Sequence, residues 1–357
     1  PGLAIMQKVL LVLAGALPIA YAAYRSRNVF VRVATTTVVG GSFLIAPIGL
    51  PLRTTSTLMT ASLASMLAIK TAQMLRPDRV APTFEGTNNP MRAQVGDFLH
   101  FCGEFLWYGV PVIAVPQEEQ NLVSTCQRIV ENVCLLVAKW VLLFALQKRL
   151  VEISTPSPEG KPVLYLLWGL LVTASPMSEV STVIVSVVTR GKYTTQSFNN
   201  CPLISTSLSE FWGQRYNALV SALLRESVFD TCAKHSKLIA CLASFFVSGL
   251  VHSYVAHFTF GGGELSSMAF FLVHGVAVCL DKEFARAGKA NGWNSLSVSA
   301  TRWFSLWAIF VATCPLYPGL FVAAMPEMQG DYSKVPEFAQ ALSERFVLPL
   351  LERVTHT

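Results

Sequence analysis

The stretch Leu242–Phe258, LASFFVSGLVHSYVAHF, places one histidine, His252, well inside an apolar run. An ionisable side chain at that depth is costly in lipid and by default suggests function. The run is one of several. Apolar stretches of about 17–25 residues, long enough to cross a bilayer as helices, occur at Leu3–Tyr24, Val29–Leu50, Thr57–Leu75, Ile129–Leu146, Val163–Val188, Leu238–Phe260, Leu265–Leu280 and Ser299–Ala323. Only 13% of the 357 residues are charged and 52% are hydrophobic, whereas a soluble domain carries about 25% charged residues. Mean hydropathy is +0.49. These observations predict an all-α polytopic membrane protein with a single membrane domain over residues 1–357. It is a bundle of about eight transmembrane helices with additional interfacial helices.

Charge and cysteine content exclude several classes. The net charge of +6 is scattered, with no basic run of the kind that binds nucleic acid. It reads as helix-flanking charge beside anionic head groups. The eight cysteines form no CxxC pair and no cluster with histidine, so neither a zinc site nor a disulfide framework is indicated. Lys8 ahead of an apolar run and "AYA" at Ala20–Ala22 also fit a secretory signal. A first residue of Pro1 fits either Met removal or processing of a longer precursor. Lys and Arg flank most spans on both sides and set no orientation. The absence of an internal repeat argues against a transporter built on inverted repeats.

Some runs are interrupted. "TASPMSE" (Thr173–Glu179) puts Pro176 and a charged Glu179 inside Val163–Val188, a break tolerable only where protein or a water-filled cavity surrounds it. Phe98–Val115, with His100, Glu104 and Pro111, reads as a surface-lying or re-entrant segment. Arg76–Asn89 and Glu152–Lys161 are turn-rich loops. Val335–Val354 is a mixed-polarity helix suited to the interface.

Between two apolar runs lies "TSLSEFWGQRYNALV", Thr206–Val220. Ser207 with Glu210 three residues on is a capping-box pattern that predicts a helix start. Helical spacing would put Trp212, Tyr216, Leu219, Val220 and Leu223 on one face, with Arg215 and Asn217 pointing away from its centre. Such a helix would lie at the membrane surface. Around the histidine of the apolar run, Ser244, Ser248, His252 and Ala256 form one helical stripe. With Gly249 that seam is small and weakly polar, suited to close packing or a narrow passage. Burial disfavours a charged imidazole, so His252 is expected neutral and able to accept a proton; the alternative is a histidine that only hydrogen-bonds a neighbouring helix. His257 falls on another side of the helix and reads as structural. His274 in the next span reads as helix packing, with a place on the same cavity as the alternative, and His100 and His235 lie near span ends.

"SFNNCPLISTSLSEFWGQRYN" (Ser197–Asn217), "FVSGLVHSY" (Phe246–Tyr254) and "GGELSSMAFFLVHGVAVCLDKEF" (Gly262–Phe284) follow one another in a recognisable order. That order and spacing resemble the wax synthase branch of the membrane-bound O-acyltransferase (MBOAT) superfamily. The family pattern is similar to S-L-x-[DE]-F-W-G-R-R-W-[NH], then S-G-L-x-H-E, then a Glu before F-F-x-x-H-G. The match covers Ser197 to Glu283, which makes residues 197–283 the motif-bearing core, between N-terminal helices (1–190) and a last span with an interfacial C-terminal helix (299–357).

The resemblance implies a helical bundle enclosing a chamber, with acyl-CoA entering from the aqueous side and a lipid alcohol from the bilayer. His252 takes the place of the catalytic histidine and Asn217 of its polar partner. Trp212, Arg215, Tyr216, Ser248 and Lys192 are candidate substrate contacts, Arg215 and Lys192 for the CoA phosphates. Direct transfer implies no metal and no cofactor besides acyl-CoA as co-substrate. The family's default compartment is the endoplasmic reticulum, with an organellar membrane as the alternative. Two departures stand out. The R-R-W of the pattern is Gln214-Arg215-Tyr216 here, and the acidic residue after the histidine is Ser253. They leave open a second reading, a non-catalytic MBOAT-fold subunit that packs lipids and other membrane protein subunits.

Overall fold

The computed structural model describes residues 15–76, 97–98, 101–103, 105, 111–153, 161–332 and 337–355. The apolar runs become helices wherever capping chemistry and length allow. The run holding His252 is the helix Lys237–Phe260, capped by Ser236, whose hydroxyl accepts the Ile239 amide. It ends at Gly261 in the left-handed region (φ 74°), and Gly263 (φ 91°) opens the next helix, Glu264–Ala290. Positive φ at two positions of a three-glycine turn is a conformation that side chains resist. The result is a tight antiparallel helix pair.

Glycines also set how closely these two helices approach. A Cβ on Gly275 would stand 2.8 Å from Cβ and 3.0 Å from Cγ of Phe245, and one on Gly249 would stand 2.7 Å from the Met268 sulfur. Small residues at a membrane helix interface let backbones pack where no hydrophobic force drives association. The small seam expected around His252 is therefore a packing seam.

Among the described residues, four helices are long and apolar enough to cross a membrane: Leu122–Ile153, Val163–Val188 taken across its break, Lys237–Phe260 and Glu264–Ala290. The pair Ser295–Thr313 and Pro318–Met328, bent by 52°, meets the same test of length and apolarity when its two helices are taken together. These five coincide with five of the predicted runs. Val29–Leu44 is shorter than the run Val29–Leu50 because the chain turns at Ile45. Thr55–Met74 is a full-length helix, but its many Thr and Ser side chains keep it out of the span-grade set. Leu3–Tyr24 and Phe98–Val115 lie partly outside the described residues, and both turn-rich loops mostly so. Large apolar side chains cover the outside, among them Leu122, Val188, Leu265 and Phe304. The protein is an all-α polytopic membrane protein.

The break in Val163–Val188 falls at residues 174–176, between Lys161–Thr173 and Met177–Val188. Pro176 removes a donor. The Asn199 amide nitrogen meets the freed carbonyls of Val172 and Thr173, each at 3.3 Å. Glu179 is buried and accepts from the Lys139 ammonium at 2.8 Å. The break is thus enclosed by protein, as lipid requires. A two-stranded antiparallel sheet was not expected. β1 (Val112–Ala114) pairs with β2 (Tyr193–Thr195) just past the Met177–Val188 helix. The C-terminal segment is helical from Glu337 to Thr355, through a wide π-type turn at Ser343–Val347, and packs on Leu122–Ile153.

Gly275→Ala is expected to destabilise the detergent-solubilised protein by about 1–3 kcal/mol, the usual cost of overpacking. Melting curves of the two proteins check this. An unchanged midpoint would mean that Phe245 swings aside freely.

Candidate functional site

Ser207 caps the segment 208–215 as its pattern predicts, its hydroxyl accepting the Glu210 amide at 3.2 Å. The Glu210 carboxylate reaches back to Thr206, accepting its amide at 2.8 Å and its hydroxyl at 2.6 Å. The helix does not continue through Leu223, however. Phe211–Arg215 winds as a π-type turn, Tyr216 is extended, and Asn217 sits in the left-handed region at φ 48°. A new helix, Ala218–Leu224, starts there. The single amphipathic face expected from Trp212 to Leu223 is thereby corrected, and Asn217 belongs to the junction rather than to the Phe-Trp helix. Asparagine tolerates that conformation because its short polar side chain bonds locally. Its Oδ1 accepts the Val220 amide at 3.0 Å, and its own amide donates to Asn199 Oδ1 at 2.9 Å. The Asn217 side-chain nitrogen has no hydrogen-bond partner among the described residues.

Arg215 is engaged within the protein. Its Nε donates to Glu210 at 2.5 Å and a terminal nitrogen to the Asn200 carbonyl at 3.1 Å. Burial alone would raise the Glu210 carboxyl, but hydrogen bonds from Thr206 and Arg215 outweigh it and bring the pKa down to about 2. Lys192 is exposed, in the turn between Met177–Val188 and β2, where its carbonyl accepts the Val115 amide.

His252 donates from Nδ1 to the Ser248 carbonyl at 2.7 Å. A carbonyl can only accept, so the proton sits on Nδ1 and Nε2 carries the lone pair. Nε2 has no hydrogen-bond partner among the described residues. The ring stacks on Phe271 (centroids 4.1 Å apart, planes at 29°) and stands edge-on to Tyr317 (5.0 Å, 88°). The buried Ser248 thus acts through its carbonyl, with its hydroxyl 3.5 Å from Nδ1.

His274 is the opposite case. Trp212 donates to its Nδ1 at 3.1 Å, Nε2 donates to Thr313 Oγ1 at 2.9 Å, and Thr313 passes its own proton to the Ile309 carbonyl. Both nitrogens are occupied, so His274 is a packing histidine as read. His257 pairs with Glu264 at 2.6 Å on the exposed side. Trp212 packs against Phe245, Phe271 and Phe310, and Tyr216 stacks on Phe211 with planes 16° apart. Burial pushes the Tyr216 phenol up to about 12, so it stays protonated. One aromatic cluster therefore joins the Phe-Trp segment to the ring under His252. No hydrogen bond joins Asn217 to His252 among the described residues.

Sequence reading did not single out Asn199, Asp281, Arg302 or Tyr317. Asp281 holds Arg302 through two bonds (2.6 and 3.0 Å) and accepts the Ser209 amide at 3.1 Å, tying three segments together. Its signal was the charge ending "HGVAVCLD" inside the quoted motif. Tyr317 lies between Pro315 and Pro318, the prolines that mark the bend.

A family profile described as "Membrane bound O-acyl transferase family" matches residues 194–273, the segment running from β2 past the ring under His252. The chain resembles the wax synthase branch of that family. Its curated relatives include a putative long-chain-alcohol O-fatty-acyltransferase 10 from Arabidopsis thaliana, 34% identical over 93 residues, or 23% of this chain and 27% of the relative. A probable long-chain-alcohol O-fatty-acyltransferase 2 from the same plant is 38% identical over 92 residues, with the same shares. An acyl-CoA–sterol O-acyltransferase 1, also from Arabidopsis thaliana, is 32% identical over 105 residues, 26% of this chain and 29% of its own length. The matches thus span little more than a quarter of these relatives.

Two stability outcomes follow. Trp212→Phe keeps the ring but leaves the buried His274 Nδ1 without a donor, which costs about 1–3 kcal/mol in the melting transition. The Glu210 carboxylate, depressed when folded, contributes stability that is present above its unfolded pKa of about 4.5 and is lost as pH falls toward 2. The difference in melting temperature between wild type and Glu210→Gln is expected to shrink over that window. A constant difference would mean that Glu210 does not titrate as described.

Proposed function

We propose that this chain transfers a fatty acyl group from acyl-CoA to the hydroxyl of a lipid alcohol, with His252 as general base. The observation that carries the reading is the fixed tautomer of His252. Its Nδ1–H is held by the Ser248 carbonyl, and the unprotonated Nε2 is left without a protein partner among the described residues. His274, by contrast, has both nitrogens used within the protein.

In this scheme Nε2 takes the proton of the alcohol as its oxygen attacks the thioester carbonyl. The C–O bond forms, the tetrahedral intermediate collapses, the C–S bond breaks, and the imidazolium returns the proton to the CoA thiolate. Products are an ester and CoA. The unpartnered amide of Asn217 is suited to orient a reacting oxygen or to donate to it. Aromatic Trp212 and Tyr216 would line the apolar wall. Lys192, exposed and without an ion pair among the described residues, is the better candidate for a CoA phosphate. Arg215 already serves Glu210 and Asn200. The relatives' names support a long-chain alcohol or a sterol as acceptor class. Membrane lipids and acyl-CoA are then the partners, and the endoplasmic reticulum is the compartment the resemblance favours.

The test is acyl transfer by the purified protein from radiolabelled palmitoyl-CoA to a panel of fatty alcohols, sterols and diacylglycerol, beside His252→Ala. Ester from the wild type and a loss of about 10²–10⁴-fold in the variant, the usual worth of a general base, is the expected result. Two well-folded proteins that make no ester from any acceptor would overturn the reading and leave the non-catalytic subunit, which Ser253 and the engaged Arg215 favour. Retention of native partners through mild-detergent purification would then identify the assembly.

A further inference from the structure

Beside the face of His252 stands a second polar group that the family pattern does not reach. Tyr317 occupies the bend between Ser295–Thr313 and Pro318–Met328 and is buried. Its ring is fixed from several sides, by Phe270, Phe271 and Phe321 (5.8, 5.6 and 5.2 Å) and by the edge-on contact with His252. Its hydroxyl, in contrast, makes no hydrogen bond among the described residues. The Tyr216 phenol lies within electrostatic range of it and is also without a hydrogen bond there. Buried phenols of native proteins ordinarily find partners. Here two phenols and the Nε2 atom of His252 are left unpaired among the described residues, on rings that belong to one aromatic cluster. The bend between Ser295–Thr313 and Pro318–Met328, flanked by Pro315 and Pro318, is what brings the Tyr317 ring there.

We propose that the Tyr317 hydroxyl is the hydrogen-bond donor to the thioester carbonyl oxygen of the acyl chain in the His252 site. This rests on the acyl-transfer reading. The donor changes no bond count: the alcohol proton goes to Nε2, the carbonyl oxygen gains negative charge as the C–O bond forms, and the phenol donates to that oxygen without giving up its proton. When the C–S bond breaks, the carbonyl re-forms and the hydrogen bond weakens again. A donor placed where charge develops is worth more in the transition state than in the ground state. Tyr216, on the opposite chain segment, is placed as a second donor to the same oxygen or to the incoming alcohol.

Tyr317→Phe isolates the hydroxyl, because the ring contacts persist and no hydrogen bond among the described residues is lost; its melting temperature should match wild type. In the palmitoyl-CoA assay its kcat is expected to fall about 10²–10³-fold, the effect of losing one oxyanion donor, with little change in KM. A binding measurement needs no turnover. It compares a palmitoyl-CoA analogue that keeps a carbonyl (a 2-oxoalkyl thioether of CoA) with the plain alkyl thioether. Wild type is expected to prefer the ketone about fivefold to tenfold, the worth of one hydrogen bond, and Tyr317→Phe to lose that preference while holding the alkyl thioether equally well. Ester made at the wild-type rate by Tyr317→Phe, with the ketone preference intact, overturns the proposal alone. No ester from wild type, with the ketone preference present and lost in Tyr317→Phe, overturns the transferase reading but keeps Tyr317 as the acyl-carbonyl donor. No ester and no preference overturn both.

Discussion

The approach of the Lys237–Phe260 helix to the Glu264–Ala290 helix, set by Gly249 and Gly275, decides where everything else stands. At Gly275 a Cβ would meet the Phe245 Cβ at 2.8 Å, too close for a side chain, while at Gly249 it would meet the sulfur of the flexible Met268 side chain at 2.7 Å and Phe271 Cβ at 3.5 Å. That distance lays Phe271 flat on the His252 ring and turns His274, one turn further, toward Trp212. A wider seam would separate imidazole from phenyl ring and tryptophan from its acceptor together. In lipid such a seam is held by van der Waals contact rather than by a hydrophobic force, so small changes of volume act on it directly.

A second constraint acts where the chain leaves regular helix. Lipid offers no hydrogen bonds, so each irregular point has to be answered by protein. At the Pro176 break the answer is Asn199, which takes two freed carbonyls with its nitrogen and the Asn217 amide with its oxygen. At the junction after Trp212 it is Asn217, bonded to Val220. At the bend before Pro318 the backbone answers for itself, the Leu316 amide donating to the Thr313 carbonyl and the Gly319 amide to that of Cys314. The same side chains that repair the backbone thus position the candidate chemistry. Asn217 is held by a residue whose other bonds lie in a different span.

Of the eight runs read as spans, five were legible as such because an apolar run of bilayer length forms little else than a membrane helix. Val29–Leu50 and Thr57–Leu75 were not, since one turns early and the other carries too many hydroxyls. The histidine stood out because it interrupts such a run. Also legible was the Ser207 cap, a local pairing of a hydroxyl with an amide three residues on. The break at Tyr216–Asn217 was not, since helical spacing continued to fit the apolar residues beyond it. Nothing local says that residue 217 will take a positive φ when Asn199, eighteen residues earlier, supplies the bond that holds it there. The two-stranded sheet was hidden for a related reason: its strands are three residues each and come from segments far apart in the chain. Tyr317 was invisible because its importance lies in meeting His252 across a bend, a contact without a sequence period.

The departures from the family pattern fall among these same contacts. Ser253 follows His252 where an acid is usual, and its hydroxyl donates to the Glu264 carbonyl at 2.7 Å. A carboxylate at that position would face a carbonyl oxygen and would need another donor to be tolerated. The serine therefore closes the turn of the helix pair instead of serving the imidazole, whose Nδ1 already has its acceptor in Ser248. Gln214 is exposed and leaves Arg215 as the cation that holds Glu210. Tyr216 replaces an indole N–H by a phenol O–H, so a donor remains on a ring of the same stack. Each change alters what supports the site while leaving the lone pair of His252 and the amide of Asn217 unoccupied among the described residues. Under the proposed acyl transfer, those two nitrogens are left for a bound substrate to pair, because Nδ1 of His252 and Oδ1 of Asn217 are already engaged within the protein.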